Sequence, residues 1–253
     1  FYRDSDCTDY ITSGTKANFE GGGITLGLSP NTITTIYAVA QDSTNRKSGC
    51  TYMTDYEHDS LSPGDPVFVS TNPASPSNTS QTPAVIGTAS ASTVTVDLYS
   101  DSNCSSSLGS GTKAEFEGAG ISTSSLTANN VSAIYAQSTD NVPADSNCIL
   151  MINYRHDDID PGTVTLSDGP VTYNSSNTST PSLSWNSATD SGSGISYYEV
   201  SVGTSAGLTD VVSWTNVGNV TETILAGTFT NGEIYYPNIR AVDYAGNQAT
   251  VTT

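Results

Sequence analysis

No stretch of helical length carries apolar residues at a 3.6-residue period. Where apolar residues recur, they alternate or form short runs. Ser182-Leu183-Ser184-Trp185 reads as a strand with one buried aromatic, and residues 197–202 read as another. Residues 234–243 predict a third strand, Asp243-Tyr244-Ala245-Gly246-Asn247 a turn, and residues 248–252 a closing strand. Residues 66–97 read as two or more strands separated by a Pro/Asn/Ser-rich run over 72–82. The polar background of Ser, Thr, Asn and Gly agrees with this, because Thr suits a pleated surface while Gly and Asn suit turns. The pattern predicts an all-β chain of tandem β-sandwiches.

The same pattern repeats. Gly14-Thr15-Lys16-Ala17-Asn18-Phe19-Glu20-Gly21 returns as Gly111-Thr112-Lys113-Ala114-Glu115-Phe116-Glu117-Gly118. Ser5-Asp6-Cys7 matches Ser102-Asn103-Cys104, and Ile36-Tyr37-Ala38 matches Ile134-Tyr135-Ala136. Tyr56-Glu57-His58-Asp59 matches Tyr154-Arg155-His156-Asp157. The offset stays near 100 residues, roughly one sandwich domain. Three domains are expected: residues 1–60, 61–158 and 159–253. The first has no counterpart of 66–97, so it reads as a sandwich lacking its first strands. Either the chain is cut there or another segment fills the gap, as in strand donation between filament subunits. Lys16 with Glu20, and Lys113 with Glu117, are expected on one face of a strand as weak surface ion pairs.

The third region resembles a bacterial fibronectin type III domain. The likeness rests on Leu183-Ser184-Trp185, on Gly194-Ile195-Ser196-Tyr197-Tyr198-Glu199-Val200, and on Ala241-Val242-Asp243-Tyr244-Ala245-Gly246-Asn247. It implies that Trp185 is the core tryptophan and Tyr235 a corner tyrosine. The two earlier copies resemble bacterial immunoglobulin-like modules of large surface proteins. They share a strand ending near a Cys, a Phe-Glu-Gly-x-Gly-Ile stretch and a terminal Tyr-x-His-Asp. These resemblances imply an extended, exported protein and no particular ligand.

Charge narrows the partners. A net charge of −18 with only seven Lys and Arg among 253 residues makes nucleic acid a poor partner and repels an anionic membrane. An acidic surface suits solubility and cations. The four cysteines fall at two similar spacings, Cys7 to Cys50 and Cys104 to Cys148, with no Cys-x-x-Cys. Two structural disulfides and an oxidising, extracellular or cell-surface location are expected. No signal peptide or membrane-spanning run is visible.

No motif predicts catalysis. There is no Gly-x-Ser-x-Gly elbow, and no nucleophile or metal set accompanies His58 or His156, which are expected to fix the linkers that follow them. Catalytic residues are therefore given as none, and the chain is not expected to be an enzyme. Carboxylates at the predicted junctions are the most notable polar feature. Asp157, Asp158 and Asp160 form a candidate calcium set, and Asp55, Glu57, Asp59 and Asp65 lie at the preceding junction. The signal is weak, because no Asp-x-Asp-x-Asp-Gly loop is present, and no other cofactor is implied. Exposed tyrosines or Trp214 are a candidate platform for sugar.

The expected function is a non-catalytic stalk, fibre or filament segment of an extracellular bacterial surface protein or adhesin. Its partners would be neighbouring domains or copies of itself, or a surface protein or glycan. The alternatives are a carbohydrate- or protein-binding module, or an accessory region of a secreted enzyme.

Overall fold

Short strands joined by Gly-, Asn- and Asp-rich turns make an all-β chain of several small antiparallel sheets. The computed structural model describes residues 1–142, 144–167, 181–230 and 232–251. These fall into two units, one of Phe1–Pro63 with Thr139–Ser146, the other of Gly64–Ser138 with Asn147–Thr253. No helix among the described residues is long and apolar enough to cross a membrane.

In the first unit α1 (Lys16–Glu20) precedes β1 (Thr32–Ala38) and β2 (Thr51–His58), which pair antiparallel from Thr32↔His58 to Ala38↔Thr51. A disulfide joins Cys7 to Cys50. Ile36 is the only apolar side chain of these strands to be buried.

The second unit opens with β3 (Val67–Asn72), β4 (Ala84–Thr88), β5 (Thr95–Tyr99) and β6 (Ser107–Thr112). Then come α2 (Lys113–Glu117), β7 (Ile121–Ser122), β8 (Val131–Thr139) and β9 (Ile149–Arg155). One sheet has the order β3-β4-β7 and the other β6-β5-β8-β9. Both feed one core: Val85 from β4 meets Val96 and Leu98 from β5, Ile134 and Ala136 from β8, and Met151 and Tyr154 from β9. Every second residue of β5 is buried, as a sheet with one face to the core requires. A disulfide joins Cys104 to Cys148.

The remaining strands are β10 (Ser182–Ser184), β11 (Ile195–Gly203), β12 (Val212–Gly218), β13 (Glu222–Ile224) and β14 (Tyr236–Asp243). They form sheets β12-β11-β14 and β10-β13 around Val164, Leu183, Trp185, Tyr198, Val200 and Ile239. Trp185 is buried with its ring 5.6 Å from that of Tyr198. The Tyr235 hydroxyl accepts a hydrogen bond from the Thr230 N–H at 2.9 Å.

Two sequence expectations change. Gly-Thr-Lys-Ala-x-Phe-Glu-Gly is a single helical turn, α1 and α2, rather than a strand. Thr112 caps α2 by accepting from the Glu115 N–H, while the Glu115 carboxylate accepts from the Thr112 N–H. Five residues are too few for any apolar period to register. The lysine and glutamate are paired on both helices, as i,i+4 neighbours. The closing strand is reduced, among the described residues, to a bridge between Gln248 and Val242.

Matched residues of the two copies differ sharply in burial. Phe116 and Tyr154 are 0% exposed, whereas Phe19 is 54% and Tyr56 48% exposed. In the second unit β4 and the segment before it supply cover: a Cβ at Gly87 of β4 would collide with the Phe116 ring, and the Tyr154 hydroxyl donates to the Ser80 carbonyl at 3.0 Å. Among the described residues of the first unit no strand takes the place of β3 or β4. Instead a groove of about 710 Å³ is lined by Phe1, Tyr10, Phe19, Ile24 and Met53.

Candidate metal centre

The chain leaves β9 through Arg155-His156-Asp157, and the backbone is held on both sides as it does so. Ser77 donates its N–H to the Arg155 carbonyl and accepts at its own carbonyl from the Asp157 N–H. His156 is buried, and its Nδ1 accepts from the Asn129 N–H at 3.2 Å. Its counterpart His58 accepts from the Asn31 N–H at 3.1 Å. Asn31 and Asn129 both sit at positive φ, 56° and 53°, so each histidine pins a left-handed turn at the start of a strand. The two histidines thus have partners suited to structural work.

Asp157 then enters the third region. One carboxylate oxygen accepts from the Ser193 N–H and the other from the Ile159 N–H at 3.3 Å. Its carbonyl accepts from Asn247 Nδ2 at 2.9 Å. Asn247 also donates from its backbone and side chain to Asp243, at 2.8 and 2.7 Å, and accepts from Asn78 Nδ2 at 3.0 Å. Arg155 reaches the Gly192 carbonyl with Nη1 at 2.8 Å. Residue 192 has to be glycine for this approach, since a Cβ there would collide with the Asp157 carboxylate.

Three carboxylates meet at this point. Asp157, Asp190 and Asp243 each present an oxygen within 4.8 Å of the others. Asp190 comes from the loop between β10 and β11, where its Oδ2 accepts from the Gly194 N–H. Asp243 is the last residue of β14. Asp157 and Asp243 are 0% and 2% exposed. Asp190 Oδ1 is shut off from solvent and has no hydrogen-bond partner. No Lys or Arg nitrogen among the described residues lies within ion-pair distance of the three. Two unit charges at that separation repel by about 3 kcal/mol at an effective dielectric of about 20. Every donor to these carboxylates is a neutral amide, so no charged side chain bonds them directly among the described residues. The set is all oxygen, without His or Cys, which fits a hard cation and gives no nucleophile.

Of the sequence-predicted set, only Asp157 lies here. Asp158 and Asp160 are exposed, and Asp158 uses its N–H to donate to Asn129 Oδ1. The chain is exposed from Asp158 to Asp160, Ile159 included, while Asp157 before them is buried. Asp55 and Glu57 stand on the exposed face of β2, and Asp65 accepts two hydrogen bonds from Asn147. Asp190 and Asp243 escaped the sequence reading. The available signals were an Asp-Ser-Gly-Ser-Gly loop and an acid ending a strand before a Gly-Asn turn. Trp214 has one face covered by the Arg240 guanidinium, 4.4 Å from the ring centroid and itself paired with Glu199.

No family model matches this chain, and no significant match to a curated protein is found.

Proposed function

We propose that the chain is a non-catalytic structural segment of an extracellular surface protein, built of two immunoglobulin-like units and one of fibronectin type III kind. The observation that carries this is the joint between second copy and third region. Arg155 to Gly192, Ser193 to Asp157, Asn247 to Asp157 and Asn78 to Asn247 make four hydrogen-bonded crossings between residues far apart in sequence. A joint of this kind transmits force and orientation instead of swinging. The all-β cores and two disulfides support a part made to persist outside the cell. The covered face of Trp214 weakens the case for a sugar platform there.

Residual dipolar couplings test the joint. Those from residues 64–138 and 181–251 should fit one alignment tensor in the full chain; two independent tensors would remove the support. Specific retention on a glycan array would instead favour the binding-module reading.

The open apolar groove beside Phe19 and Met53 favours a second reading, in which a strand of another copy completes the first unit and the segment polymerises. Sedimentation should then show concentration-dependent assembly that Phe19→Asp abolishes. A monomer at every concentration would end that idea.

A further inference from the structure

We infer that Asp157, Asp190 and Asp243 are the protein ligands of a calcium ion that clamps the second copy to the third region. Convergence of three acids is the first observation. The second is separate from that proximity: Asp190, itself half-buried, has one oxygen, Oδ1, that is shut off from solvent and accepts no hydrogen bond. A buried carboxylate oxygen without a donor normally needs a partner. Asp157 and Asp243 are fully enclosed beside it, and their donors are all neutral amides. A divalent cation supplies the missing partner and the missing charge in one step.

The choice of ion follows from the donors. Zinc and copper favour imidazole or thiolate, and neither is in the cluster. Magnesium demands near-octahedral geometry and keeps much of its water, whereas calcium accepts six to eight oxygens in a flexible shell. Carboxylates already held by backbone N–H groups suit the flexible calcium shell better. The shell beyond the three carboxylates is left to main-chain oxygens and water. Because Asp157 belongs to the exit of β9 while Asp190 and Asp243 belong to a loop and to the end of β14 in the third region, binding couples the two parts. The site deepens the structural proposal above, and its test is separate from the test of the joint.

The deciding variant is Asp190→Asn in the full chain, because its Oδ1 has no protein donor to lose. Asp243→Asn is less clean, since Asp243 also holds the turn through Asn247. Calorimetric titration of chelator-treated protein with CaCl2 should show one saturable site with a dissociation constant between about 10⁻⁷ and 10⁻³ M. Asp190→Asn should weaken it by at least about ten-fold, while Asp158→Asn and Asp160→Asn leave it unchanged. Melting temperatures should cross over. In chelator, Asp190→Asn should melt at or above the wild type, because a like charge is gone. In calcium it should melt below. A merely structural aspartate would lower the melt in both conditions. No saturable binding, equal binding by Asp190→Asn, or a lower melt of that variant in chelator overturns the site. Equal binding of magnesium overturns the choice of ion. A single alignment tensor without calcium binding would leave the joint standing and remove only the ion.

Discussion

Phe116 lies beneath Gly87, in a core that also holds Tyr154 and Val85. Truncating it to alanine should cost about 3–5 kcal/mol, as for other enclosed aromatics. The same change at Phe19, half exposed in an almost identical local sequence, should cost under about 1 kcal/mol. Denaturant unfolding of the two variants checks the contrast, and equal losses would mean that Phe19 is covered in solution. Gly192 offers a second test at this scale. Gly192→Ala forces a methyl against the Asp157 carboxylate and should destabilise the joint by about 1–3 kcal/mol. Hydrogen exchange at the Ser193 N–H, which donates to that carboxylate, should rise with it.

The recurring element is an acid-closed turn. Asp42 Oδ1 accepts from the Thr44 and Arg46 N–H groups, Asp140 Oδ1 from those of Val142 and Ala144, and Asp243 Oδ1 from that of Asn247. In each, the carboxylate satisfies backbone donors that a tight connection leaves without strand partners. The Arg46 backbone N–H, followed by the Thr44 hydroxyl, holds the Asp42 carboxyl down to about 2. An unfolded aspartate titrates near 3.9. Its folded value is the lower one, so its stabilising effect is present above about pH 4 and is lost as pH falls from there to about 2. An NMR titration of Asp42, with exchange protection of the Arg46 N–H followed alongside, checks both the midpoint and the sign. At α2, removing the cap by Thr112→Ala should cost about 1 kcal/mol. Thr15→Ala should cost less, because Asn18 stands where Glu115 completes the capping box.

Across the whole molecule the disulfides do much of what a thin core cannot. Loops of 43 and 44 residues are closed by Cys7–Cys50 and Cys104–Cys148. Chain entropy assigns each closure about 4 kcal/mol. Melting with and without reductant should therefore show a large loss, concentrated in the first unit, where Ile36 is the only buried apolar side chain on a strand. Double replacement of Cys7 and Cys50 by serine should unfold that unit while leaving the dispersed amide signals of residues 181–251. Uniform loss across the chain would show that the two units fold as one.

The sequence alone determined what depends on neighbours along the chain. Alternation of apolar residues along β5, β11 and β14 shows strands, because burial on one face imposes a period of two. The matched Cys spacings point to the two disulfides observed. Asp157 was recognisable as an acid at a junction. The one-turn helices were not legible, since five residues hold too little pattern to separate a capped turn from a strand. Burial was not legible either: Phe19 and Phe116 share their neighbours in sequence, and only cover from β4 distinguishes them. Asp190 and Asp243 lie 33 and 86 residues beyond Asp157, by their numbering. They reach it only because β9 exits against a loop and the end of β14 in the third region. Convergence across such separations is set by how sheets pack, and no local period carries it.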